Sequence, residues 1–258
     1  MKFTVVTLFP ELIEGFVASG LLGRAVGRDQ VQVNTLNPRQ FTDDAHHTVD
    51  DRAFGGSDGM VMKVEPLLKA IRSLQAAGPC RVLLLSPQGV PWEQSRARVL
   101  AQASENIVLL CGRYAGIDQR LSAFVDEEIS LGDFVLNGGE VAACAIIEST
   151  ARLLPGVLGN GTSAERDSFS AEWLECPQFT RPREVEGMPV PAPLLSGNHR
   201  LIAQFERAVG VVRTALLRPE RVPTGYKLQG DVAQVLALTD AELHSLGLKR
   251  ADVLRLQE

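Results

Sequence analysis

The 258-residue sequence predicts an α/β domain built on a mostly parallel sheet with helices on both faces, followed by a small helical unit. Three observations predict it. From Lys2 to Leu154, short apolar runs alternate with segments of helical spacing. Three successive strand-like runs end in glycine-bearing loops: Ser86–Gly89, Gly112–Gly116 and Leu131–Gly139. Beyond Gly156 the chain turns proline-rich and then helical, with no further apolar strand.

Lys2–Leu8 alternates in the manner of a strand and closes at Phe9-Pro10, and Glu11–Val26 has helical spacing through Leu12, Phe16, Leu21 and Val26. Val31–Leu36 is a second strand. Residues 39–63 are charged and glycine-rich, and a structureless stretch of that length in a domain is functional or disordered. Glu65–Ala77 reads as a helix with Pro66 in its first turn. Arg81–Leu85 is an apolar strand, Trp92–Ala103 a helix, Asn106–Cys111 a strand and Asp118–Phe124 a short helix. Val125–Ser130 and the helix Glu140–Leu154 flank the loop Leu131–Gly139. Prolines 177, 182, 189, 191 and 193 mark an extended arm. A helix over Gly197–Leu217, capped by Ser196, follows, then a short one, Asp240–Ser245, capped by Thr239 and ended by Gly247, and another over Ala251–Leu256.

Apolar content of 45% and charged content of 22% are those of a globular protein with a real core. No run reaches the ~18 apolar residues of a membrane helix, and Met1–Val6 reads as a strand, so the expected location is the cytoplasm. Cys80, Cys111, Cys144 and Cys176 stand apart in apolar surroundings, which suits core residues in a reducing compartment. The net charge of −5 is uneven: residues 176–258 hold 11 Lys and Arg against 9 Asp and Glu. That asymmetry favours a polyanion at the C-terminal part.

The first βα turn, Leu8–Glu11, has no glycine, and the second strand ends in Asn37 with no carboxylate for a ribose, so a dinucleotide fingerprint is missing where it belongs. Ligands of open α/β sheets bind outside the carboxyl ends of the strands. Three adjacent glycine loops there predict a pocket of backbone amides and apolar walls, suited to an uncharged aromatic group such as adenosine. No His, Cys or carboxylate spacing marks a metal site, and Mg2+ is an option the sequence does not indicate.

Cys111-Gly112-Arg113-Tyr114-x-Gly116-Ile117-Asp118-x-Arg120, then Ile129-x-Leu131-Gly132-Asp133-Phe134-Val135-Leu136-x-Gly138-Gly139-Glu140, then Pro155–Gly159 with Asp167-Ser168-Phe169, resemble the bacterial tRNA (guanine-N1)-methyltransferase family. Val49–Arg52, Cys176–Pro182 and Leu194–Gly197 with His199 fit in the same order. The resemblance runs from Met1 to about Pro219. It implies a SPOUT-type α/β domain with a deep C-terminal trefoil knot plus a small all-α C-terminal domain. The divisions would be a methyltransferase domain at 1–158, a flexible linker at 159–175 and a helical tRNA-binding domain at 176–258. A knot is not what spacing alone would predict.

The resemblance also implies S-adenosylmethionine bound by Ser86, Pro87, Gln88, Gly89, Gly112, Arg113, Tyr114, Leu131, Gly132, Asp133, Phe134, Val135, Leu136, Gly138 and Gly139. It implies a homodimer with the active site at the subunit interface, acting on the anticodon stem-loop of tRNA at the guanine of position 37. N1 of guanine carries a proton, so its methylation needs a base and a cation for charge on O6. The matching residues are Asp167 as base and Arg152 as O6 stabiliser, with Asp50, Arg52, Gly56, Gly59 and Ser163 about the target base. Ala115 stands where family members carry Glu, and Ser57-Asp58 where they carry Gly-Pro. Two other readings stay open on the residues: another nucleotide-dependent α/β enzyme, and an RNA-binding homologue with weakened catalysis.

Overall fold

Five parallel strands form one sheet in the order β2-β1-β6-β5-β7: β1 (Lys2–Val6), β2 (Gln32–Leu36), β5 (Cys80–Pro91), β6 (Asn106–Cys111) and β7 (Glu127–Ser130). This computed structural model describes residues 1–56, 58–158, 167–170 and 172–257, in two units, Met1–Gly161 and Thr162–Glu258. The strands read as continuous apolar runs because the sheet is buried on both sides. Val82, Leu84, Val108 and Leu110 turn to one face, where α3 (Val64–Ala77) covers them with Leu67, Ala70 and Ile71. Leu83, Leu85, Ile107 and Leu109 turn to the other, against α1 (Pro10–Val17), α2 (Gly20–Gly27) and α5 (Glu140–Ala151). The α/β class with a parallel sheet is as the sequence predicts.

Three elements of the first unit differ from the sequence reading. The helix expected over 11–26 is two, because Gly20 takes φ +63° and breaks the run. The segment expected to be irregular holds a 3₁₀ turn, Pro38–Phe41, and an antiparallel hairpin of β3 (Asp50–Arg52) and β4 (Met60–Met62). The loop expected at Ser86–Gly89 lies inside β5. Leu85 and Val90 both face Ile129 of β7, so the four residues between them bulge out of the ladder. The helix after it is short, α4 (Gln94–Leu100).

The second unit is helical apart from a two-stranded ribbon, β8 (Glu184–Val185) and β9 (Met188–Pro189), which the all-α expectation lacked. Its helices are α6 (His199–Leu217), α7 (Gln229–Leu236), α8 (Asp240–Ser245) and α9 (Arg250–Leu254). Asn198, not Ser196, caps α6: its side chain accepts from the Arg200 and Leu201 amides. Thr239 caps α8 as expected, in a full capping box with Glu242. Helices of five to eight residues are unstable alone. Here Phe205, Val209 and Val212 of α6 bury against Val232, Val235, Leu243 and Val253, each fully buried side chain contributing about 1.5–3 kcal/mol. Of the linker expected at 159–175, residues 159–166 and 171 lie outside the described residues. The part nearest α6 is packed on it. The Leu174 amide donates to Thr214 Oγ1 at 2.8 Å, and a Cβ on Gly210 would stand 2.4 Å from the Leu174 carbonyl oxygen.

Candidate active site

At the carboxyl ends of β5, β6 and β7 lies a cavity of about 330 Å³. Its walls are the three glycine-bearing segments. The β5 bulge contributes Ser86, Pro87 and Gln88, the turn after β6 contributes Gly112–Gln119, and the turn after β7 contributes most of 131–139. Backbone contacts lock them together. The Gly139 amide donates to the Gly112 carbonyl at 3.0 Å, Arg113 and Gly138 form an antiparallel bridge, and a Cβ on Gly139 would stand 2.8 Å from Cys111 Cα. Tyr114 is held at φ +60°, a strained value for a bulky residue. The Ser130 hydroxyl accepts from the Gly132 amide at 3.1 Å, which fixes the start of the third loop.

Thirteen of the fifteen residues expected to hold the cofactor line this cavity: Ser86, Pro87, Gln88, Gly112, Arg113, Tyr114, Leu131, Gly132, Phe134, Val135, Leu136, Gly138 and Gly139. Gly89 and Asp133 do not. Gly89 has a packing role, since a Cβ there would meet the backbone of Glu128 and Ile129 at 2.3–2.5 Å. Arg113 touches the cavity, but its guanidinium is committed elsewhere. Nη2 lies 3.0 Å from Glu140 Oε2, and the cation sits 4.2 Å above the Phe9 ring. Glu140 is buried at the first turn of α5, where the helix dipole favours it, and Thr7 Oγ1 donates to its Oε1 at 2.7 Å. Glu140 Oε2 and Arg113 Nε have no hydrogen bond of good geometry, so charge attraction rather than directional bonding joins the pair.

The cavity also takes in Asp118, Gln119, Ser122 and Glu128, which the sequence reading left out of the site. Asp118 carried a signal, as a carboxylate two residues before Arg120 at a turn. Side-chain bonds from Arg120, at 2.6 and 2.9 Å, with a third from its amide, hold the Asp118 carboxyl down at about 2. Burial pushes the Cys111 thiol well up, with nearby Glu140 adding to it, and takes Cys144 to about 11, so neither is a thiolate at neutral pH. Among the described residues, no three His, Cys, Asp or Glu side chains cluster to hold a metal.

The β3–β4 hairpin stands beside the cavity, stitched to its second loop. The Ala115 amide donates to the Met60 carbonyl at 2.8 Å, Met62 donates to Gly116 at 2.9 Å, and Asp118 donates to Met62 at 3.0 Å. Asp50 and Arg52 lie on β3 opposite Met62 and Met60, and Gly56 and Gly59 make the tip with φ +77° and +95°. Phe54, fully exposed, projects from that tip. None of these four expected substrate residues lines the cavity itself. Arg152 closes the C-terminus of α5, its amide donating to Glu148, and it also lies off the cavity. Asp167 belongs to the second unit, where its carbonyl accepts from the Ser170 amide. Ser163 lies outside the described residues.

Comparison with known proteins agrees with the chain's own motifs. Residues 1–224 match the profile of the family described as "tRNA (Guanine-1)-methyltransferase TrmD". A tRNA (guanine-N(1)-)-methyltransferase of Alcanivorax borkumensis is 51% identical over 222 residues, covering 84% of this chain and 83% of the relative. Proteins of the same name from Shewanella piezotolerans and Actinobacillus succinogenes are each 48% identical. They cover 92% and 94% of this chain, and 96% and 95% of their own length. The chain therefore belongs to the tRNA (guanine-N1)-methyltransferase family.

Proposed function

We propose that this enzyme transfers a methyl group from S-adenosylmethionine to N1 of the guanine at tRNA position 37, just 3′ of the anticodon. The observation that carries the reading is the convergence of three glycine-bearing segments on one 330 Å³ cavity whose walls are backbone amides and apolar side chains. The donor set fits the cofactor. Gly112, Gly132, Gly138 and Gly139 let backbone approach a flat base, Leu131, Phe134 and Leu136 supply its apolar wall, and Glu128 offers negative charge to the cationic methionine part. When bound, the cofactor supplies a methyl group already activated by its sulfonium. What the chain adds is orientation and proton removal. The Asp167 carboxylate takes the proton from N1, and the Arg152 guanidinium meets the charge that develops on O6. Asp50, Arg52, Gly56, Gly59 and Ser163 hold the target base and its neighbour.

The same reading divides the chain at 1–158, 159–175 and 176–258, with the last part gripping the anticodon stem-loop in the cytoplasm. A deep knot is supported by how closely residues 138–139 are pressed against residues 111–113. A homodimer is supported by apolar side chains left exposed on the first unit, among them Leu12, Leu21, Val135 and Val141.

The test is labelled-methyl incorporation into tRNA transcripts carrying guanine or adenine at position 37. Incorporation is expected only with guanine, and Asp167→Ala is expected to abolish it while leaving S-adenosylhomocysteine affinity unchanged. Full activity of Asp167→Ala, or equal methylation of the adenine transcript, sinks the mechanism.

A further inference from the structure

The segment that carries Asp167 is fastened to the helical unit at three points. Trp173 packs on Tyr226 with ring centroids 4.7 Å apart and planes tilted by 57°. The Phe169 ring faces the guanidinium groups of Arg221, at 4.6 Å, and Arg218, at 5.8 Å. Leu174 bonds Thr214 across the gap that Gly210 leaves open. Between these points the segment closes on itself: the Phe169 amide donates to the Trp173 carbonyl and the Glu175 amide to Ser168 Oγ. Phe169 sits at φ +66°, a strained backbone that persists only where its surroundings over-determine it.

Tyr226 is itself locked. Its hydroxyl donates to Asp231 Oδ2 at 2.7 Å and accepts from Arg207 Nη2 at 2.7 Å, while Arg207 Nη1 reaches Asp231 Oδ1 at 3.0 Å. Asp231 is buried at the start of α7. Burial, then the bond to Asp231, pushes the phenol upward from its usual range, so it remains a donor at neutral pH. Tyr226 and Asp231 lie beyond residue 224, where the family match stops, so two of the lock's three members belong to the part of the chain the family profile leaves out, while Arg207 lies within it.

We infer that Tyr226 is a positioning residue for the methyl transfer: held by Arg207 and Asp231, it fixes Trp173 and so determines where the helical unit presents Asp167. This rests on Asp167 being the base, as proposed above. A positioning residue acts on kcat through Asp167, whereas a residue that only supports the fold or the tRNA grip raises KM or lowers stability.

The experiment measures kcat, KM for tRNA and S-adenosylhomocysteine affinity for the full chain and for Tyr226→Ala, Tyr226→Phe, Trp173→Ala and Trp173→Phe, alongside Asp167→Asn and Asp167→Asn/Tyr226→Ala. Small misplacements of a reacting group cost up to ~100-fold, so kcat is expected to fall by roughly 10- to 100-fold in Tyr226→Ala and Trp173→Ala. KM and cofactor affinity should stay within about threefold, and Trp173→Phe should recover most of the rate by keeping a ring on Tyr226. In the Asp167→Asn background, Tyr226→Ala should cost nothing further, because residues acting through one group are not additive. Unchanged kcat in both alanine variants beside a slow Asp167→Asn removes the positioning role alone. So does an additive loss in the double variant, or a loss confined to KM. Full activity of Asp167→Asn removes the base assignment, and the positioning role with it, whatever Tyr226→Ala does. If Tyr226→Ala fails to fold, Tyr226→Phe and the Trp173 pair decide by the same criteria.

Discussion

An arginine–carboxylate pair stands next to the functional segment of each unit, Arg113–Glu140 in the first and Arg207–Asp231 in the second, and the two live in opposite surroundings. Arg113 and Glu140 sit beneath the glycine loops with side chains 19% and 3% exposed, while Arg207 and Asp231 have 56% and 10%. The first pair packs directly on the Gly138 backbone: a Cβ there would meet Arg113 Nε at 2.3 Å and Glu140 Oε2 at 2.5 Å. The second is completed by a tyrosine hydroxyl and remains open to water on the arginine side. In the first unit, position is set by main chain pressed on main chain, so changes act in an all-or-none way. In the second, apart from the close approach of Leu174 to Gly210, it is set by side chains, whose contributions are graded and can be tuned one at a time.

Glu140→Ala breaks the comparison most severely. It leaves the Arg113 charge buried without its partner, and a broken buried pair costs about 3–5 kcal/mol. The first unit should unfold at lower urea, with cofactor binding lost, whereas Asp231→Ala should cost less because water reaches Arg207. Equal midpoints for the two variants would contradict the contrast. Gly89→Ala comes next. The added methyl meets the Ile129 backbone, and overpacking of this kind costs about 1–3 kcal/mol, read as weaker S-adenosylhomocysteine binding with the helical unit unaffected.

Glu242→Ala sharpens the other side. Burial alone would raise this carboxyl, but bonds from the Ala192 amide, the Thr239 amide and the Thr239 hydroxyl bring it below its usual range. A group lowered in this way stabilises above its ordinary value of 4.5 and loses that contribution as pH falls below it. The variant should lose about 1–3 kcal/mol at pH 7, a loss that shrinks progressively as pH falls below 4.5, by denaturant melts of the second unit. The smallest effect is at Asp118. Its carboxyl is held at about 2, below its ordinary 3.8, so Arg120 supports the pocket loop above pH 4 and stops doing so as pH drops from 4 to 2. Arg120 is largely exposed, so Asp118→Asn should shift cofactor affinity only slightly at pH 7 and flatten its acid limb.

The same contrast explains what could be read from the sequence. Strands such as Leu83–Leu85 and Ile107–Leu110 were legible because burial on both faces leaves unbroken apolar runs, and the glycine loops because their residues follow directly from strand ends. The β3–β4 hairpin was not, since Asp50–Arg52 is polar and its ladder partner is Met60–Met62, which is itself bonded to Gly116. Helix α7 was hidden among glycine and proline and is held by contacts with α6. Arg113 was expected at the pocket and lines it, but the contacts of its guanidinium were not legible, because Glu140 is 27 positions away and the Phe9 ring 104 positions away, and nothing local predicts either. The Asp167 segment was legible as a motif, whereas its attachment to Tyr226 depends on two residues outside the matched region.

The strand order has a consequence for synthesis. β1 is made first, yet one of its two sheet neighbours is β6, with Phe3 facing Ile107 and Val6 facing Leu110. Until the ribosome has released residue 110, β1 can pair only with β2, and one edge of the nascent sheet stands open. At about 5–20 residues per second that interval lasts on the order of 5–20 s. A chaperone or the ribosome surface has that long to shield Phe3, Val5 and Val6, and a pause in translation shortly before residue 106 would prolong the exposure.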